Sequence, residues 1–175
     1  MGSPSIRPAT CRAIRVPWRR NEYSPLAGVK TTSSGENALM FAHAASRGAD
    51  EAILGNGQGE LCEAISANVF VEVDGEILTP PLASGCLPGI ARALALEWGA
   101  AQGLPVRVAL SGELRYDDVL ARIAGRAGAL AVTSVTRGVQ QVTVLDGAGV
   151  HSGPLLGSLS ALWEERANAD ADPAP

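Results

Sequence analysis

Hydrophobic and polar positions change rhythm several times along the chain, and each change predicts an element. GENALMFAHAASRGA (35–49) puts Leu39, Met40, Ala42 and Ala45 at helical spacing and stops at Gly48, which predicts a helix. EAILGN (51–56) predicts a short strand ended by Asn-Gly. ANVFVEV, then Asp74-Gly75, then EILTP alternates on both sides of a tight-turn dipeptide, the pattern of a hairpin. LPGIARALALEWGAAQG (87–103) predicts an Ala/Leu-rich helix beginning after Pro88-Gly89. VRVALSG predicts a strand, and YDDVLARIAG a helix with two carboxylates in its first turn, where the helix dipole favours them. ALAVTSV and QQVTVLDG predict two strands, and PLLGSLSALWEERANA a closing helix. Strands and helices are interspersed, but hairpins dominate the sheet. The predicted class is therefore α+β, with a mixed or antiparallel sheet and packed helices, rather than a doubly wound parallel sheet.

The two ends read differently. Residues 1–28 hold many arginines and prolines without a sustained period. They are expected to be a linker or the edge of another domain, with RAIRVPW forming at most one short strand. The Asp/Ala/Pro-rich residues 167–175 are expected to be a disordered tail. That leaves 29–166 as the main folded body.

Composition narrows the partners. A length of 175 residues suits one domain with an appendage and allows a sizeable core. With 4% aromatic residues, that core must come mainly from Ala, Val, Leu and Ile. A net charge of -4 gives no reason to expect nucleic acid or an anionic membrane as partner. No apolar run approaches the roughly 18–20 residues that span a bilayer. The N-terminus lacks the apolar stretch of about 7–15 residues that marks a secretory signal, so a cytoplasmic protein is expected. Cys11, Cys62 and Cys86 are far apart, form no CxxC pair and have no histidine nearby in sequence. They predict buried or idle thiols, with no metal site and no disulfide scaffold.

Of the 14 basic residues, Lys30 is the one lysine. Taken alone it reads as a solvated surface cation. Three other stretches change its weight. In GELCEAISANVF, Glu63 and Asn68 stand where the chain turns into a strand, so Glu63 is expected to be partly buried and to need a cationic partner; a salt bridge to an arginine is the plain reading. In SGCLPGIAR, Gly89, Ile90 and Ala91 open a helix whose free N–H groups can hold an anion. In AVTSVTRGVQQV, Thr133, Ser134 and Thr136 cluster at a strand end, either as ordinary turn residues or as phosphate-binding hydroxyls. Together these supply what pyridoxal phosphate requires: an amine for its aldehyde, a buried acid for its ring nitrogen, and N–H and hydroxyl donors for its phosphate.

PWRRNEYSPLAGVKTTSSGENALMFAHAASRGADEAI, GELCEAISANVFVEVDGEILTPPLASGCLPGIAR and TSVTRGVQQV together resemble the class IV aminotransferases, the fold-type IV pyridoxal phosphate enzymes. That family includes branched-chain and D-amino acid aminotransferases and 4-amino-4-deoxychorismate lyase. The resemblance implies the large C-terminal domain of the D-amino acid aminotransferase-like fold. It also implies a pyridoxal 5'-phosphate cofactor held by Lys30 as a Schiff base, with Lys30 as proton shuttle and Glu63 on the pyridine nitrogen. Ser66, Ala67 and Asn68 would line the pocket. Gly89 with the Ile90 and Ala91 amides would hold the phosphate, helped by Ser134 and Thr136.

Substrates implied are an amino acid and a 2-oxo acid, or aminodeoxychorismate for the lyase, with a homodimer as the assembly. The chain departs from relatives at Ala91 and Val135, where hydroxyl residues are usual, at Ser34 for a tyrosine and at Gln141 for a proline. Relatives begin with a smaller N-terminal domain, and only 29 residues precede Lys30 here. A non-catalytic remnant or dimer partner is the alternative from a different class. Arg19 and Arg20 are expected to be surface or linker charge, or to reach a substrate carboxylate.

Overall fold

The computed structural model describes residues 10–169. Among these, nine strands form one mixed sheet in the order β3-β2-β1-β8-β7-β4-β5-β6, with β9 paired to β8. The strands are β1 (Cys11–Arg20), β2 (Glu51–Asn56), β3 (Leu61–Ala64), β4 (Asn68–Val73), β5 (Glu76–Thr79), β6 (Val106–Val108), β7 (Ala129–Ser134), β8 (Gly138–Leu145) and β9 (Ala148–Gly149). The helices are α1 (Gly35–Ala45), α2 (Ile90–Ala101), α3 (Tyr116–Ala124) and α4 (Pro154–Ala169). The α+β class with a mixed sheet holds. β1 runs parallel to both β2 and β8, and β5 parallel to β6, while the hairpin β4–β5 and the pairs β4–β7 and β7–β8 are antiparallel. Among the described residues no helix is long and apolar enough to cross a membrane.

Strand alternation sends neighbouring residues to opposite layers. Ile53, Val69, Val71, Leu130 and Val132 pack with Val119, Leu120 and Ile123 of α3. Their neighbours Phe70, Ala129 and Ala131 pack with Ala91 and Ala95 of α2 and Leu156, Leu159 and Trp163 of α4. Ala52 and Leu54 turn away from Ile53 toward Met40 and Ala44 of α1. Both faces are thus covered, which explains why these strands read as nearly continuous apolar runs.

Two segments depart from the sequence reading. Residues 11–20, expected as linker, form a ten-residue strand at the centre of the sheet. Cys11, Ala13, Ile14 and Val16 are buried, while the side chains of Arg12 and Arg15 reach outward to the Gly48 carbonyl and to Asp146. These charges and Pro17, where the pairing register shifts between Arg15 and Arg19, hid the pattern. The second is β3, whose four residues are all buried although Glu63 is among them. At the other end, α4 continues through Ala169, and residues 170–175 of the expected tail lie outside the described residues.

Candidate active site

Glu63 leaves β3 with its carboxylate almost fully buried. One oxygen accepts the Leu87 N–H at 2.9 Å. The other lies 2.9 Å from Arg20 Nε, an ion pair whose N–H is not aligned for a hydrogen bond. Burial pushes the Glu63 pKa up, opposed by the Leu87 N–H and then by the Arg20 charge. Arg20 is therefore not the surface charge the sequence suggested. Its guanidinium also donates to Asn37 Oδ1 at 3.2 Å, and Asn37 Nδ2 donates to the Ile65 carbonyl at 3.1 Å.

Asn68, the first residue of β4, donates to the Leu87 carbonyl at 2.7 Å. Leu87 is thus gripped on both sides, by Glu63 at its N–H and by Asn68 at its carbonyl. Two residues on, Gly89 precedes α2 with extended backbone and no side-chain cap. The Ala93 N–H takes the Gly89 carbonyl, which leaves the N–H groups of Ile90, Ala91 and Arg92 at a positive helix end. Ala91 is buried, while the Ile90 side chain is exposed.

Thr133 of β7 pairs with Asn68 across the sheet, so the two side chains share a face. Its hydroxyl is buried and has no hydrogen-bond partner among the described residues. Ser134 and Thr136 hydroxyls lie 3.2 Å from each other in the turn to β8. The Ser66 hydroxyl donates to Glu51. Gln141 accepts the Gly153 N–H at 2.8 Å, and Ser34 stands just before α1 without capping it.

Lys30 is exposed in the loop before α1, and its amine has no partner among the described residues. Both flanks of that loop are anchored to the site. Gly28, at φ +70°, is packed so that a β-carbon there would stand 3.5 Å from the Cys86 carbonyl and 3.8 Å from Pro88. On the other side, Asn37 binds Arg20 and Ile65.

Residues 2–145 match the family described as amino-transferase class IV. The chain belongs to this family. A Synechocystis protein assigned as a branched-chain-amino-acid aminotransferase is 40% identical over 90 residues, which are 50% of this chain and 30% of that protein. A Legionella pneumophila protein assigned as 4-amino-4-deoxychorismate lyase superposes with a TM-score of 0.80 at 24% identity, over 92% of this chain and 57% of that one. The branched-chain amino acid aminotransferase of Thermobaculum terrenum in its PLP form gives 0.76 at 20% identity, over 91% and 52%. The chain thus spans little more than half the length of these class IV structures and shares their fold.

Within that fold, three participants escaped the sequence reading. Arg20 sits at the end of a strand read as linker. Leu87 contributes only backbone, which carries no residue-type signal. Glu51, at the start of β2, is fully buried although it is a carboxylate.

Proposed function

We propose that this chain is the cofactor-binding part of a pyridoxal 5'-phosphate enzyme that transfers an amino group between an amino acid and a 2-oxo acid. The observation that carries the reading is the double grip of Glu63 and Asn68 on Leu87, immediately before the uncapped start of α2. It links a buried acid to an anion-binding helix end through a single residue.

The residues present fit the cofactor. Glu63 Oε1 meets only the Arg20 guanidinium, in an ion pair whose N–H is not aligned for a hydrogen bond, and is suited to accept the proton of the pyridine nitrogen. The free N–H groups of Ile90 and Ala91, with Gly89 before them, suit a phosphate. The Thr133 hydroxyl on the Asn68 side, unpaired among the described residues, offers a further donor with Ser134 and Thr136 in the adjoining turn, and Ser66 and Asn68 belong to the pocket wall. When bound, the cofactor supplies an electron sink for charge developing at the substrate α-carbon.

The chain's own residues do the rest. Lys30 would hold the cofactor through its amine and, once the substrate amine displaces it, would carry the proton away from the substrate α-carbon as a general base. An arginine at position 30 would remain protonated and could do neither. Glu63 keeps the ring nitrogen protonated, and its ionised form is supported by Leu87 and Arg20. The exposed side chains of Tyr23, Leu26 and Val29, close in sequence to Lys30, support association with a second copy that covers this edge.

Addition of pyridoxal phosphate to the purified chain tests the reading. The expected result is an absorbance band near the visible–ultraviolet border that Lys30→Ala abolishes. Addition of an amino acid then shifts the spectrum to the pyridoxamine form. Release of pyruvate from aminodeoxychorismate without that shift would replace transfer by elimination. Absence of any band would leave the non-catalytic reading.

A further inference from the structure

Glu51 takes no part in the chemistry above, yet it is a carboxylate with no exposed surface. A buried charge persists only where it is paired and hydrogen-bonded. Its partners come from two separate turns. Oε2 accepts the Ile65 N–H at 3.0 Å, and Oε1 accepts the Ser66 hydroxyl. Oε1 also lies 3.1 Å from Nη1 of Arg137, whose side chain is one-quarter exposed.

Ile65 and Ser66 form the turn between Glu63 and Asn68. Arg137 closes the turn that carries Ser134 and Thr136, its N–H donating to the Ser134 carbonyl at 3.2 Å. Position 51 is fixed in turn by the sheet, because Glu51 pairs with Ala13 of the central strand β1. One rigidly placed carboxylate therefore holds both turns.

We propose that Glu51 is a positioning residue for the cofactor site, its ion pair with Arg137 clamping the 64–67 turn to the 134–138 turn. The inference rests on the pyridoxal phosphate reading. The clamp fixes Asn68, and through it Leu87, relative to the Ser134 and Thr136 hydroxyls. Phosphate donors on one turn and the pocket wall on the other then keep a constant separation. The charged and titratable groups facing Glu51 are Arg137 from the 134–138 turn, Cys11 from β1 and Glu63 from β3. Burial is the largest influence on Glu51 and pushes its pKa up, with Ser66 and Arg137 opposing.

The test uses Glu51→Gln, Arg137→Gln and the double variant in the full chain. Arg137→Gln keeps the test open should Glu51→Gln fail to fold, since its side chain reaches solvent. Two quantities are read: pyridoxal phosphate affinity by fluorescence quenching, and amide hydrogen exchange of the cofactor-free protein. The proposal expects each single variant to weaken affinity about tenfold, a modest loss for a partly buried ion pair whose N–H is not aligned for a hydrogen bond. The double variant should be no worse than either single one. Exchange should rise at 64–68 and 134–138 together, and Glu51→Asp should recover part of the loss.

Additive losses, exchange that rises in only one turn, or unchanged affinity in both singles would each overturn it. A wild-type chain that binds no pyridoxal phosphate would instead sink the functional reading, and the exchange data would still show whether the clamp exists.

Discussion

Asn68 lies so close to the backbone before α2 that a β-carbon added at Gly89 would stand 2.1 Å from its Oδ1. Gly89 has φ -69°, an ordinary value, so glycine is required here by space and not by conformation. The contact brings the start of β4 onto the helix end and leaves the Asn68 amide group free to hold Leu87.

Gly89→Ala should therefore drive Asn68 out of place and break its 2.7 Å bond to the Leu87 carbonyl. The expected cost is about 1–3 kcal/mol in urea unfolding, the usual range for overpacking. Pyridoxal phosphate affinity should fall as well, because Leu87 loses one of its two anchors. Combining Gly89→Ala with Asn68→Ala removes the clash, so the double variant should regain stability over Gly89→Ala alone. Equal losses in the single and double variants would show that space was not the constraint.

Glu63 carries a pH signature. Burial holds its folded pKa above the ordinary 4.5. An acid with a raised folded pKa binds its proton more tightly in the native state, so its contribution is favourable below 4.5 and is lost as pH rises through the raised value. Relative to Glu63→Gln, wild-type stability should thus decline over that window and then level. Cofactor binding should move the opposite way, rising with pH as the carboxylate ionises. Arg20→Met removes the opposing charge and should shift the binding midpoint upward. Urea titrations and fluorescence binding at a series of pH values check both directions, and an unmoved midpoint in Arg20→Met would refute the role of the ion pair.

Much of this arrangement was legible in the sequence. The Val69–Val73 alternation around Asp74-Gly75, the Gly48 stop and the Pro88-Gly89 helix start each act through neighbours in the chain, and each appears where expected. What was hidden depends on partners distant in sequence. Arg12 and Arg15 disguised a central strand because the partners of their side chains, the Gly48 carbonyl and Asp146, lie 36 and 131 residues away. Glu63 was expected to be partly buried beside an arginine, but only the fold shows that the arginine is Arg20, and that Glu51 is buried as well and meets Arg137. Lys30 stood out as the one lysine, but the packing of Gly28 on Cys86 and Pro88 that directs its loop leaves no trace in composition.

The three thiols should be inert in the native protein. Cys11, Cys62 and Cys86 are free and buried, and burial is the main cause that raises each pKa, Cys11 to about 12. The thiolate is the reactive form. A thiol reagent at mildly alkaline pH should therefore label none of the three until denaturant is added, and all three afterwards. Fast labelling of Cys86 in the native state would mean that the segment leading to Leu87 opens readily.

The β7–β8 turn meets α4 through Gly138 and Trp163. Gly138 has φ +65°, where an L side chain is strained, and a β-carbon there would stand 2.6 Å from the Trp163 indole. Trp163 also lies against Trp98 of α2, with ring centroids 5.2 Å apart and planes tilted by 44°, so the indole has little room to retreat. Gly138→Ala combines backbone strain with a clash and should destabilise the fold by about 2–4 kcal/mol. Part of the effect should appear at the candidate site, because Gly138 pairs with Ser134 and follows Arg137. The variant should lower pyridoxal phosphate affinity even at temperatures where it is fully folded. Replacing Trp163 by Leu in the same chain relieves the clash but not the strain, so only part of the stability should return. Full recovery would assign the cost to the indole alone, and no recovery would assign it to the backbone.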